Sequence, residues 1–250
     1  MAAKIFNALI AIVLQSDMYR SDFILAAWAV VRDLSNIFFI LILLYIAVKV
    51  ILDMGGHEAK KMIGSVVIAA LLINFSLFFT RIAIDSSNIL ALIFYNRLEV
   101  TYIEKDGSTA NRPAPFSTPY KEKDLAGKMY QAFDATKMID KPFLDKINTI
   151  PIKEQTKNQE TKLPFAFTLG VMLVAGTIML VAAYTFFTSG IFFLGRLIEL
   201  WILMIFSPFA FMSLAIPKLK SIEYVGWDKL TEKLISTAFM APIFMFFVYL

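Results

Sequence analysis

The sequence predicts an all-α fold: a polytopic bundle of transmembrane helices, about five spans, with one large polar loop that contains an amphipathic helix. Three observations predict it. Hydrophobic residues make up 58% of the 250 residues and charged residues 18%, against about 45–50% and about 25% in ordinary globular chains, and mean hydropathy is +0.68. The charges are segregated: Tyr95–Lys162 holds 12 of the 24 basic and 10 of the 20 acidic residues. The remainder divides into apolar runs close to the ~20 residues that cross a ~30 Å hydrocarbon layer as a helix.

Residues 1–33 form the first region. MAAKIFNALIAIVLQSD places Lys4 before a short apolar run but lacks a small-x-small cleavage site, so a helix lying at the membrane surface fits better than a secretory signal. The first span is Leu34–Leu52, uncharged until Lys49, and the apolar stretch Phe23–Val31 extends the same helix upstream of Arg32. The second is Met62–Thr80, stopping at Arg81 and Asp85, so that residues 34–94 hold spans one and two. Residues 95–162 are the polar loop. Within it, Gly107–Tyr120 is rich in Pro, Ser and Thr and reads as irregular. Lys121–Ile147 carries Leu125, Met129 and Phe133 at four-residue intervals, one stripe of an amphipathic helix. Such a stripe packs most often on its own protein, and a partner-binding face is the alternative.

Leu163–Gly195 is 33 residues without a charge, about 50 Å of straight helix and too long for one crossing. A break at Thr188-Ser189-Gly190 gives a third span, Pro164–Phe187, and a fourth, Ile191–Ala215, within residues 163–216. In residues 217–233, Ile222, Trp227 and Leu230, continuing to Leu234, recur at roughly helical intervals, which reads as an interfacial linker helix. Residues 234–250 are the fifth span. It finishes on Phe-Phe-Val-Tyr-Leu with no polar flank, which reads as a fragment of a longer chain.

Several function classes lose their chemistry. The formal charge of +4 is interspersed, without the one-sided basic stripe a duplex-binding surface needs. No cysteine removes disulfides and thiolate chemistry, and one histidine, His57, leaves no second imidazole for a triad or a His-based zinc site. Gly55-Gly56 is a turn rather than a phosphate loop, and no catalytic motif falls within a span. The expectation is a non-enzymatic protein without cofactor or metal.

Ionisable groups at membrane depth cost about 2.5–3.5 kcal/mol each on insertion scales and are functional candidates for that reason. Arg196 and Glu199, three apart, share a helix face and are expected to neutralise each other, in a structural or a pathway role. Arg32 and Asp33, adjacent and so pointing differently, are expected to mark a helix at the interface. Lys49, Arg81 and Asp85 sit near span ends, where long side chains reach headgroups. Asn36 and Asn74 are expected to hydrogen-bond between helices, and Pro208 and Pro242 to kink spans four and five. Ala166-xxx-Gly170 and Ser65-xxx-Ala69 are small-residue pairs that let helices approach.

Three stretches, Trp28–Leu52, Leu71–Leu90 and Gly195–Pro217, resemble the TrbL-like polytopic inner-membrane subunit of bacterial type IV secretion (conjugal transfer) systems. The resemblance is carried by Arg32-Asp33 with Asn36, Asn74-Phe75-Ser76, Asp85 with Asn88, and Ser207-Pro208 before an aromatic helix end. It implies a channel or scaffold subunit that moves DNA or protein cargo. The implied partners are secretion ATPases, other channel subunits, the lipid bilayer and copies of itself in a homo-oligomer. It also implies an extracytoplasmic N-terminus and central loop. Lys60 and Lys61 then lie in the cytoplasm as the positive-inside rule prefers, whereas Lys218, Lys220, Lys229 and Lys233 face outward against it. Spans two to five would line or gate a path, with Asn74, Arg196 and Glu199 pointing inward. The rivals are a secondary transporter, which usually shows internal repeats that are not evident here, and a membrane anchor subunit of another complex.

Overall fold

The computed structural model describes residues 2–52, 56–98, 102–103, 109–110, 124–132, 165–215, 219–222 and 225–250. Its helices are α1 (Ala2–Val13), a 3₁₀ turn (Ser16–Tyr19), α2 (Asp22–Ile51), α3 (Gly56–Asn74), α4 (Ser76–Arg97), α5 (Leu125–Ala132), α6 (Phe165–Ser213) and α7 (Trp227–Tyr249). A two-residue antiparallel ribbon pairs β1 (Tyr102–Ile103) with β2 (Thr109–Ala110), with Tyr102 opposite Ala110 and Ile103 opposite Thr109. Thr109 and Ala110 thus leave the stretch expected to be irregular. The rest of that stretch, Phe133, and the continuation of the amphipathic helix beyond Ala132 lie outside the described residues.

Among the described residues, four segments are long and apolar enough to cross a membrane: Ser16–Ile51, Ser76–Arg97, Met172–Ser213 and Trp227–Tyr249. That gives a helical, multi-pass membrane chain, but the span boundaries differ from the sequence reading in three places. The first is the expected span Met62–Thr80, which breaks at Phe75: its amide reaches back only three residues, to the Leu72 carbonyl, at 3.0 Å. The flanking polar side chains draw on other partners, Asn74 donating to the Ala70 carbonyl and Ser76 accepting from the Trp28 indole. Such side chains compete with helical bonding. Arg81 and Asp85, expected to end a span, consequently fall inside α4.

The second difference is the break expected at Thr188-Ser189-Gly190. It is absent, and α6 runs unbroken for 49 residues. Gly190 serves close approach instead of a turn. A Cβ there would lie 3.0 Å from Leu9 Cδ1, so the missing side chain lets α1 lie against α6. Third, among the described residues of 217–233 no α-helix precedes Trp227. α7 begins at Trp227 and continues as one element through the expected fifth span, while Ile222 is an exposed residue ahead of it. Gly226 precedes the helix because nothing larger fits: a Cβ would stand 2.2 Å from the Lys220 carbonyl oxygen. The Trp227 amide then donates to Ser213 Oγ at 2.9 Å, tying the start of α7 to the end of α6.

The chain divides into two compact units, Met1–Leu9 with Val100–Arg112 and Ser117–Ile191, and Ile10–Glu99 with Pro113–Phe116 and Phe192–Leu250. In the first, Phe6 packs on Phe186 with ring centroids 5.3 Å apart. Asn7, 3% exposed, caps the start of α5. Its Nδ2 donates to Asp124 Oδ1 at 2.9 Å and its Oδ1 accepts from the Ala126 amide at 3.0 Å. Leu125 and Ala126 are buried, so this part of the amphipathic stripe packs on its own protein.

The second unit has a continuous apolar core. Phe39, Ile42 and Ile46 of α2 meet Val66, Ala69 and Ile73 of α3 and Phe211, Met212 and Ala215 at the end of α6. Ala69, from the Ser65-xxx-Ala69 pair, is fully buried there. α2 and α3 pack together, as do α4 and α7. Above the core, Trp28 Nε1 donates to Ser76 Oγ at 2.9 Å, a buried bond between α2 and the start of α4.

Candidate functional site

The polar centre of the second unit is Arg196, on α6, only 2% exposed. A guanidinium carries five N–H donors in a fixed fork. Its Nε donates to the Thr237 carbonyl at 3.0 Å, Nη1 to the Tyr19 hydroxyl at 3.2 Å, and Nη2 to Asn88 Oδ1 at 2.9 Å and the Ala238 carbonyl at 3.1 Å. One side chain therefore joins α6 to α4, α7 and the 3₁₀ turn. Tyr19 passes the connection on by donating to the Val13 carbonyl at 3.0 Å, and Trp201 Nε1 fixes the same turn through the Met18 carbonyl at 3.0 Å.

Arg196 and Glu199 do not pair with each other as expected. Thr237 stands between them: its carbonyl accepts from Arg196, and its hydroxyl donates to Glu199 Oε2 at 3.1 Å. The other Glu199 oxygen lies 3.4 Å from Lys233 Nζ, both side chains being partly exposed. The physical reason is the set of acceptors already fixed around Arg196. Two backbone carbonyls, an amide oxygen and a hydroxyl take four bonds from the fork without desolvating a carboxylate, whose burial carries a penalty of several kcal/mol.

A partly open cavity of about 600 Å³ lies beside this cluster. Phe192, Ile202, Leu203 and Met240 give it apolar walls, and Arg196, Glu199, Ser236 and Thr237 are its polar lining.

The other predicted residues fall elsewhere. Asn88, on α4, is completely buried and belongs to the Arg196 cluster. Asp85, one turn before it, pairs at 3.4 Å with Arg20, an exposed residue that follows the 3₁₀ turn. Arg81 lies within electrostatic reach of both, yet its Nε and Nη2 are enclosed without a hydrogen-bond partner among the described residues. Arg32 and Asp33 were expected to diverge, but the guanidinium folds back onto its neighbour at 2.7 Å and over the Trp28 ring at 4.9 Å. They sit within α2. Asn74 is exposed and, among the described residues, bonds to its own helix at the Ala70 carbonyl instead of bridging helices. Asn36 is half-buried on α2 and makes no inter-helix hydrogen bond among the described residues. Lys49 lies over the Tyr45 ring one turn earlier, at 5.7 Å.

Pro208 and Pro242 both lie inside helices. Each removes the amide that would reach the carbonyl four residues back. For Pro208 that carbonyl is Met204, and Ser207 Oγ donates to it at 2.8 Å. For Pro242 it is Ala238, to which Arg196 donates. The residues that sequence reasoning missed, Tyr19 and Thr237, act through one hydroxyl and one main-chain carbonyl, groups with no periodic signature. Pro242 was the available signal, since a helical proline announces a free acceptor four residues upstream.

Among the described residues no group of three His, Cys, Asp or Glu side chains is placed to hold a metal ion. Comparison with protein-family models, with curated proteins and with solved structures finds no match to this chain.

Proposed function

We propose that the chain is a TrbL-like inner-membrane subunit of a bacterial type IV secretion system, a channel or scaffold component in the translocation of DNA or protein. The observation that carries this reading is a convergence. The three stretches that resemble the family, far apart in sequence, supply one core. Phe39, Ile42 and Ile46 come from the first, Ile73 from the second, and Phe211, Met212 and Ala215 from the third. Their polar residues meet as well, Trp28 with Ser76 and Asn88 with Arg196. Stretches alike only in being apolar have no reason to pair through their few polar positions.

In this reading the N-terminus and the insert of residues 95–162 lie outside the cytoplasm, where the insert meets other secretion subunits. Secretion ATPases act from the cytoplasmic side, and the cargo passes transiently. Arg196, which makes four hydrogen bonds within its own chain, holds helices together. Glu199 presents a carboxylate to open space. The scaffold role therefore rests on the cluster, and any path-lining role on the cavity beside it.

A second reading, a secondary transporter, draws on that same cavity and its carboxylate. Affinity purification of the tagged chain from native membranes in mild detergent separates the two. Recovery in a multi-subunit assembly with a secretion ATPase is the expected result. A self-sufficient homomer whose melting point rises with added solute would overturn the secretion reading and favour transport.

A further inference from the structure

We propose that Pro242 and Arg196 form a matched latch: the proline frees a backbone acceptor in α7, and the guanidinium from α6 captures it. This inference does not depend on the secretion reading. In an unbroken helix the amide of residue 242 would donate to the carbonyl of residue 238. Proline has no such amide, and its ring crowds that carbonyl. The orphaned oxygen sits in a buried layer, Ala238 being 1% exposed and Ala241 fully enclosed. A buried unpaired carbonyl is costly. Arg196 Nη2 reaches it at 3.1 Å, and Nε reaches the preceding carbonyl, Thr237, at 3.0 Å. The guanidinium thus spans two successive carbonyls beside the gap and anchors them to α4 through Asn88.

Pro208 shows that this arrangement is not the automatic consequence of a proline. There the vacated carbonyl, Met204, is satisfied within the same helix by Ser207, with no donor from another element among the described residues. At Pro242 the preceding residue is Ala241, whose side chain has no donor. The deficit is met from a different helix, so the local defect of α7 becomes an inter-helix bond. The latch sets where α7 sits against α6 and α4, and its release frees α7 at one defined level.

The latch makes an unusual prediction, that the damage done by losing Arg196 is repaired by removing the proline. Pro242→Ala restores an amide for the Ala238 carbonyl, which matters little while Arg196 holds it and a great deal once Arg196 is gone. The full chain, free of native cysteines, would carry Ala241→Cys as a reporter in four forms: parent, R196M, P242A and R196M/P242A. In detergent micelles, R196M should melt lower and react with a maleimide at least five-fold faster. Adding P242A should recover at least half of both changes in that background, and shift the parent by less than half as much. Equal effects of P242A in the two backgrounds would overturn the latch. Should R196M fail to accumulate in membranes, accumulation rescued by P242A supports it. Failure of both R196M forms moves the comparison to R196Q with and without P242A, where equal behaviour again overturns it.

Discussion

Asn88 offers the sharpest test of how the buried arginine is held. Asn88→Leu preserves approximate size and removes the oxygen that accepts from Arg196 Nη2 at 2.9 Å. Both residues are buried, so no water replaces the lost acceptor. Two magnitudes compete. A hydrogen bond between helices in a membrane protein averages about 0.6 kcal/mol, whereas one to a charged group contributes about 1.5–3 kcal/mol. The charged donor in a dry setting selects the second. At about 2–4 °C per kcal/mol for a chain of this size, N88L should melt about 3–12 °C below the parent, against about 1–2 °C for an ordinary inter-helix bond. The assay is thermal unfolding in detergent followed by tryptophan emission. Asn88→Asp is the companion: it keeps an oxygen at the same place and makes the bond charge-assisted, so it should melt well above N88L. A midpoint for N88L within about 1 °C of the parent would refute the reasoning, as would equal midpoints for the two variants.

Three further substitutions test other joints. Ser76→Ala strands the buried Trp28 Nε1, which donates to Ser76 Oγ at 2.9 Å; the cost should be about 1–3 kcal/mol, and Trp28 emission should shift to shorter wavelength as its hydrogen bond is lost. Gly226→Ala drives a Cβ to 2.2 Å from the Lys220 carbonyl oxygen, so the start of α7 must move. A loss of about 1–3 kcal/mol is expected in the same unfolding assay, and an unchanged midpoint contradicts the close approach. Asn7→Ala removes the acceptor of the Ala126 amide and the donor to Asp124, whose own carboxylate caps the Gly127 amide, at a cost of about 1–2 kcal/mol. Limited proteolysis should then cut the segment 124–132 sooner while the second unit survives unchanged.

Much of the fold was legible in the sequence because apolar run length and charge segregation act at the scale of whole helices. The long helix through Phe23–Val31 and Leu34–Leu52 follows from two apolar runs joined by Arg32-Asp33, with Asp22 in its first turn and Lys49 in its last, both favourable to the helix dipole. What failed was punctuation. Thr188-Ser189-Gly190 carries turn-forming residue types, but turn propensity is a local preference, and α1 lying on Gly190 outweighs it. Phe75, by contrast, is a residue type that no turn rule flags. The helix breaks there because the Trp28 indole recruits Ser76 from a helix 48 positions away, a contact that exists only after α2 and α4 have met. Asp85 is tolerated inside α4 because Arg20 supplies a counter-charge from the end of the 3₁₀ turn, and Asp85 is in turn the opposite charge within reach of Arg81.

The site shows the same limit in sharper form. Arg196, Glu199, Asn88 and Pro242 were all visible as oddities in apolar surroundings, yet their pairing was not. Spacing of three residues places Arg196 and Glu199 on one helix face and makes their mutual neutralisation the natural expectation. That rule compares the pair with two solvated side chains on an isolated helix. In the folded chain the comparison is different, because Arg196 can be satisfied by oxygens that are already dehydrated and fixed, the carbonyls of Thr237 and Ala238 and the side chains of Asn88 and Tyr19. Glu199 is left with Lys233 and the Thr237 hydroxyl at the cavity edge, where partial exposure keeps its charge solvated. A buried cation in such a chain is therefore better matched with vacated backbone acceptors than with the nearest carboxylate, and a helical proline marks where one of those acceptors lies.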